Sequence, residues 1–143
     1  PVESIKDHHL KVKLSVKIAE GSTLQKKHFL FSLNEKSHYY GGTYDRDQIP
    51  QDNQQTALDE LKNGLTEFYP HPYEIEEINF GFRPTVKDRR PIIGRHSKFE
   101  NLYVFNGLGA RGILNGSYFS KQIFDFIEYN SPLNPEVDLK RFS

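Results

Sequence analysis

The chain has 143 residues, of which 36% are hydrophobic, and its 19 basic and 19 acidic side chains give a formal net charge of +0. This length suits one compact domain, and the even charge argues against a nucleic-acid module and against a protein held on a membrane by bulk electrostatics. Cysteine does not occur, which excludes disulfides, a thiol nucleophile and cysteine-ligated zinc and makes the cytoplasm the expected location.

The N-terminal third predicts an antiparallel sheet. From Leu10 to Ile18 every second residue is apolar and those between are lysine or serine, which is typical of a strand with one buried face. Residues 28–33 and 37–44 flank the short polar turn Asn34-Glu35-Lys36 and therefore predict a β-hairpin.

A helix is predicted to follow this hairpin. Asp52 is placed as its N-cap, with Gln55 as the capping-box partner, and Pro70 and Pro72 end it. One apolar stripe at helical spacing comprises Leu58, Leu61, Leu65 and Phe68.

The C-terminal half predicts further strands and a second helix. One strand runs from Tyr73 to Phe82, a charged turn covers residues 85–90, residues 91–94 form a short apolar step, and residues 102–105 read as a buried strand. The last helix is expected from about Ala110 to about Tyr129, with small residues four apart at Gly112, Gly116 and Ser120. Together these elements predict an α+β fold with a mostly antiparallel sheet, one mid-chain helix and a long C-terminal helix.

Arg83 stands where the strand after the first helix is expected to end. Pro84 follows it and restricts its backbone. A guanidinium binds a carboxylate through two parallel hydrogen bonds, which suits recognition of an amino or hydroxy acid. The alternative is a surface arginine paired with a nearby acid.

A glycine-rich loop joins the last predicted strand to the last predicted helix. We call it the glycine loop, and it consists of Gly107, Leu108, Gly109, Ala110, Arg111, Gly112 and Ile113. Glycine allows a ligand to approach the backbone closely, and the start of a helix presents unpaired N–H groups and a positive dipole end. An anion site and a plain strand-turn-helix junction both fit this pattern.

Two strings of the sequence, GFRPTVKDRRPIIGR and NLYVFNGLGARGIL, are more specific together than either is alone. They resemble the C-terminal segment of the FAD-dependent oxidoreductases of the D-amino-acid oxidase, glycine oxidase and sarcosine oxidase superfamily. The string FLFSLNEKSHYYGGTYD extends the resemblance upstream, so that it covers roughly residues 25–130. It implies an enzyme in which a hydride passes from the carbon next to a substrate amine to N5 of FAD.

The resemblance also implies roles for particular residues. Arg83 matches the arginine that holds the substrate carboxylate, and Gly107 to Ile113 match the loop that passes the pyrimidine edge of the flavin. Backbone N–H groups there would stabilise negative charge on the reduced flavin, so no catalytic side chain is expected. Phe29 stands where some members present a tyrosine to the substrate, and Leu108 where histidine is frequent.

The dinucleotide fingerprint of this superfamily is missing. Residues 107–112 formally fit G-x-G-x-x-G, but no βαβ unit follows them. The resemblance therefore implies a single-domain C-terminal part, residues 1–143, of a longer enzyme that acts on a small amine or amino acid. Alone it is expected to be inactive, to retain FAD poorly and to self-associate through the surface that meets the missing N-terminal half. A stand-alone binding module without redox activity, and an anion-binding regulatory domain that depends on Arg83, are the alternatives.

The remaining candidate site residues give weaker indications of function. The six histidines show no metal-ligand spacing and are expected to be solvated or locally hydrogen-bonded, so no metal site is predicted. Tyr39, Tyr40 and Tyr44 either line a pocket or pack on the sheet. No nucleic-acid or membrane partner is predicted.

Overall fold

The computed structural model describes residues 1–44 and 53–142, which form two compact units. We call Ile5–Phe82 the sheet unit, and Pro1–Ser4 together with Arg83–Ser143 the C-terminal unit.

A five-stranded sheet supplies most of the regular structure. Its strands stand in the order β2-β3-β4-β1-β5, and the pairs β1–β4, β2–β3 and β3–β4 are antiparallel. Their bounds are β1 Val2–Leu14, β2 Thr23–Gln25, β3 Phe29–Ser32, β4 His38–Gly41 and β5 Tyr73–Val86. The described residues also form two α-helices, α1, Asn53–Phe68, and α2, Gly112–Tyr129. The predicted α+β fold is confirmed.

The first strand differs from its prediction at both ends. It begins at Val2 and stops at Leu14, because the backbone of Val16 is held by a side chain instead of a neighbouring strand. The Val16 N–H donates to the Tyr69 hydroxyl at 2.9 Å, and that hydroxyl donates to the Val16 carbonyl at 2.8 Å.

The predicted hairpin is formed by β3 and β4. Its turn is closed by the Asn34 side chain, whose Oδ1 accepts hydrogen bonds from the backbone N–H groups of Lys36 and Ser37, both at 2.9 Å. Asparagine favours such turns because its short side chain bonds the backbone two residues on. The short strand β2, which lies beside β3, was not predicted.

The core of the sheet unit lies between the sheet and α1. It contains the predicted helix residues Leu61 and Leu65, both fully buried, with Leu58 and Phe68 partly buried against them. The proposed N-cap, Asp52, lies outside the described residues. The Nε2 of Gln55 donates to the Asp59 carboxylate at 2.9 Å.

The C-terminal unit has its own small core. Strands β6, Ile92–Arg95, and β7, Tyr103–Asn106, form an antiparallel pair, and a 3-10 turn, Gly109–Arg111, leads into α2. A second 3-10 turn, Leu139–Phe142, ends the described chain. The core residues are Ile93, Leu133 and Val137, against which Phe119, Ile123 and Phe126 of α2 pack.

A buried strand was expected at residues 102–105. The strand is confirmed, but its burial is not. β7 is there, but Tyr103 and Val104 are only half-buried, and Leu102 and Phe105 are exposed. Only one side of the two-stranded pair is covered by α2 and the C-terminal tail, so a continuous apolar run does not require burial on both faces.

Candidate functional site

Arg83 lies within β5 and not at its end. The strand continues through Pro84 to Val86, which an edge strand tolerates because the missing proline N–H is not needed for pairing. β5 is such an edge strand in the sheet. Arg83 is half-buried and interacts with other groups of the protein.

The glycine loop has the backbone that its glycines predict. Gly107 and Gly109 have φ values of +73° and +56°, a region that side chains with a Cβ rarely adopt. The Asn106 side chain closes the start of the loop, because its Oδ1 accepts a hydrogen bond from the Gly107 N–H at 2.8 Å.

The loop rests directly on the end of β5. A Cβ built on Gly107 would lie 2.6 Å from Cγ2 of Val86, and one on Gly109 would lie 3.5 Å from Cγ2 of Thr85. Residues two apart in a strand share a face, so Arg83 lies on the same face as Thr85. The structure therefore places the arginine and the glycine loop, which the sequence separates by more than twenty residues, in one part of the C-terminal unit.

The start of α2 is left open by the chain itself. Among the described residues, neither Leu108 nor Arg111 caps its helix through a side chain, and no acid lies in the first turn of α2. Ile113 is fully exposed, and a Cβ on Gly116 would meet nothing within 4 Å. This helix start can receive negative charge from a group outside the described residues.

These observations are compatible with a flavin edge. Reduction of FAD places negative charge on its pyrimidine side, and an open helix start with a glycine-lined approach is the donor arrangement such charge needs. Gly107 has a structural role besides, because its missing side chain makes room for Val86.

The two residues that depart from the superfamily pattern are both accessible. Phe29 opens β3 and is 45% exposed, and Leu108 is half-buried at the start of the 3-10 turn. Neither side chain offers a polar group where the resemblance implies tyrosine and histidine.

The tyrosine candidates separate into different environments. Tyr40 is buried in the core of the sheet unit, where burial raises its pKa to about 12, so it cannot line a pocket. Tyr39 is half-buried and stacks between His9 and Phe31, with ring centroids 4.7 Å from each. Tyr44 is exposed.

Three of the histidines, which were expected to be solvated or locally hydrogen-bonded, are not solvated. His8, His28 and His38 are all buried; His8 lies in β1, His38 opens β4 and His28 directly precedes β3. His28 remains locally hydrogen-bonded, with its Nδ1 3.0 Å from the Gly42 carbonyl. Within residues 1–44 and 53–142, no three His, Asp or Glu side chains are arranged to hold a metal ion.

The C-terminal tail is fastened to the turn between β5 and β6 by Arg141. Its guanidinium donates to the Asp88 carboxylate at 3.2 Å and to the carbonyls of Pro91 and Arg90 at 3.0 and 3.1 Å. Partial burial alone would raise the pKa of Asp88, but the Arg90 N–H and Arg141 outweigh it and hold that pKa below its usual value. This contact holds the C-terminal tail beside β6.

Comparison with known proteins assigns the family. Residues 1–125 match the family of FAD dependent oxidoreductases, and the chain belongs to that family. A curated relative, the bifunctional protein ThiO/ThiG of Trichormus variabilis, is 29% identical over 153 residues, which is 99% of this chain and 23% of the relative.

Solved structures share the fold. The iminodiacetate oxidase of Chelativorans sp. matches all of this chain with a TM-score of 0.77 at 22% identity. Glycine oxidases of Bacillus cereus and Geobacillus kaustophilus match 94% and 99% of it, with TM-scores of 0.77 and 0.73 at 17% and 20% identity. The chain spans only 38–40% of those three chains. None of the described helices is both long and apolar enough to cross a membrane.

Proposed function

We propose that this chain is the C-terminal, substrate-binding part of an FAD-dependent oxidoreductase that oxidises the CH–NH bond of a small amino acid or secondary amine. The observation that carries the proposal is the packing of the glycine loop on Thr85 and Val86 at the end of β5, the strand that also carries Arg83. Family membership and the names of the relatives, two glycine oxidases and an iminodiacetate oxidase, support the same chemistry.

Arg83 would bind the substrate carboxylate. A half-buried guanidinium forms stronger charge-assisted hydrogen bonds than an exposed one, because less water competes for the carboxylate. Held in this way, the substrate would present the carbon next to its amine in a fixed orientation, which lowers the entropic part of the barrier.

The glycine loop would hold the pyrimidine edge of FAD. When bound, FAD supplies the hydride acceptor, and the substrate leaves as an imine that water hydrolyses. The backbone N–H groups at the start of α2 would stabilise the negative charge gained by the cofactor. The FAD phosphates would be bound by an N-terminal dinucleotide-binding half, so the 143 residues alone should be inactive and retain FAD poorly.

The substrate class can be tested with the full-length protein. Glycine, sarcosine, iminodiacetate and a set of D-amino acids would be supplied together with an artificial electron acceptor, and matching hydroxy acids would serve as controls. We expect turnover with an amine and release of the corresponding oxo acid. Turnover with hydroxy acids alone would contradict CH–NH oxidation, and the absence of any redox turnover would favour the alternative of a binding module without redox activity.

A further inference from the structure

A lysine-lined groove lies at the end of the sheet unit where β1 leaves the sheet. It has a volume of about 290 Å³ and is open to solvent. The lining residues are Lys13, Leu14, Lys17, Glu35, Lys36 and His38. Three ammonium groups are thus gathered between the end of β1 and the turn of the β3–β4 hairpin.

One of these lysines is already neutralised. The Lys13 ammonium lies 3.2 Å from Glu76 and 3.6 Å from Glu74, and the hydrogen bond that it donates to Glu76 is the main reason that its pKa is raised. Glu76 is itself fixed by the Ser37 hydroxyl, which donates to it at 2.6 Å. Lys13 therefore contributes structure to the wall of the groove rather than free charge.

Lys17 and Lys36 have no such partners. Within the described residues, neither ammonium forms an ion pair, although the Glu35 carboxylate lines the same groove. In the lining itself Lys17 and Lys36 stand against the single acid Glu35, whereas Glu74 and Glu76 lie against Lys13.

His38 adds a buried, directional group to this wall. Its side chain is 2% exposed, and its Nδ1 has no hydrogen-bond partner among the described residues. Burial is the main cause of the lowered pKa of His38. A hydrogen bond with the backbone of Val12 opposes this shift, and the charge of Lys17 adds to it. A buried nitrogen without a partner costs free energy unless a ligand or water bonds it.

We propose that this groove binds a small dianionic oxyanion of the phosphate type, held by the ammonium groups of Lys17 and Lys36 and by a hydrogen bond from the imidazole of His38. A tetrahedral oxyanion has an oxygen for each of these three donors, whereas a carboxylate has only two oxygens. All lining residues belong to the sheet unit, so the proposal does not depend on the assignment of Arg83 or of the glycine loop.

Calorimetric titration of the full-length protein, with any flavin bound, tests the site. Inorganic phosphate is added at an ionic strength kept constant with chloride, and acetate is the carboxylate comparator. We expect saturable phosphate binding, at least tenfold weaker binding of acetate, and at least a tenfold loss of phosphate affinity in the double variant K17Q/K36Q. The matched control K26Q/K27Q removes two charges that are paired with Glu67 and Glu60 and should bind phosphate as the wild type does.

The role of His38 has its own readout. Sulfate stays dianionic across the pH range, so its affinity reports protein groups alone. Binding should tighten as pH falls from 8 to 6, because the anion favours the protonated imidazole, and H38Q should flatten this dependence. The other charged side chains of the groove and its wall are Lys13, Lys17, Lys36, Glu35, Glu74 and Glu76. Equal phosphate affinity in the wild type and K17Q/K36Q, or binding that chloride abolishes, would overturn the proposal.

Discussion

At the scale of single residues, position 107 has two features that only glycine accommodates. Its φ of +73° disfavours any side chain, and a Cβ would come within 2.6 Å of Val86. We expect Gly107→Ala to destabilise the chain by about 1 to 2 kcal/mol through the backbone, with roughly 1 to 3 kcal/mol more from overpacking. Urea unfolding of the 143-residue chain measures this.

Gly116→Ala is the matched control for that substitution. This glycine lies within α2, and its added Cβ would meet nothing, so the change should stabilise the helix by roughly 0.5 to 1 kcal/mol. A double-mutant cycle between Gly107→Ala and Val86→Ala should also show favourable coupling, because the second change removes the atom that the new Cβ meets. Equal unfolding free energies for the two alanine variants would contradict the loop geometry.

The raised pKa of Tyr40 predicts that the stability of the folded chain depends on pH. Its pKa is raised by burial from 10.0 to about 12, so between these values the unfolded chain loses the phenolic proton while the folded chain keeps it. Stability must therefore fall as pH rises through this window. Tyr40→Phe should remove this part of the pH dependence.

The same variant should also gain stability at neutral pH. The Tyr40 hydroxyl is buried without a hydrogen-bond partner among the described residues, and such a group costs about 1 to 3 kcal/mol. Denaturant titrations at neutral pH and between pH 10 and 12 would show an advantage for Tyr40→Phe that grows with pH. A constant or negative difference would show that the hydroxyl is stabilised in the folded protein.

At the scale of secondary-structure elements, α2 has two different apolar faces. One carries Phe119, Ile123 and Phe126, which pack on the core of the C-terminal unit. The other exposes Ile113 completely and Leu114 by 75%, so it remains accessible to water or to another protein surface. We propose that this second face makes the isolated chain self-associate.

The self-association can be measured by sedimentation velocity over a range of concentrations. The double variant I113S/L114S should shift the isolated chain toward monomer, because it removes apolar area that is exposed in the single chain. F119S/I123S makes two equivalent changes on the packed face and should lower stability instead. A wild-type chain that stays monomeric at high concentration would contradict self-association through this face of α2.

Element boundaries show where sequence reasoning succeeds and where it fails. The alternation around Leu10 and Val12 identified β1 because both side chains reach the core, whereas the end of β1 depends on Tyr69, more than fifty residues away. β2 has only exposed side chains and therefore leaves no hydrophobic pattern. β5 passes through Pro84 because it is an edge strand, which the local sequence does not encode.

At the scale of the whole molecule, the family could be predicted from the sequence, but the construction of the site could not. Arg83 and the glycine loop were identified by their resemblance to a family, and their assigned roles stay predictions. Their proximity depends on Thr85 and Val86 lying beneath the loop, a long-range packing relation that the sequence pattern does not contain. The burial of His38 and the free charges of Lys17 and Lys36 likewise appear only in the folded chain.

Anaerobic reduction of the flavin in the full-length protein is the most direct test of the central claim, that Arg83 binds the carboxylate of an amine substrate. The wild-type flavin should lose its visible absorbance on mixing with an amino-acid substrate. Arg83→Gln should raise the apparent Kd about 10- to 100-fold, the loss expected for a charge-assisted hydrogen bond. Arg90→Gln, which removes an exposed arginine paired with Glu136, should behave as the wild type does. An Arg83→Gln protein with unchanged apparent Kd, or a wild-type flavin that no amine reduces, would contradict the account.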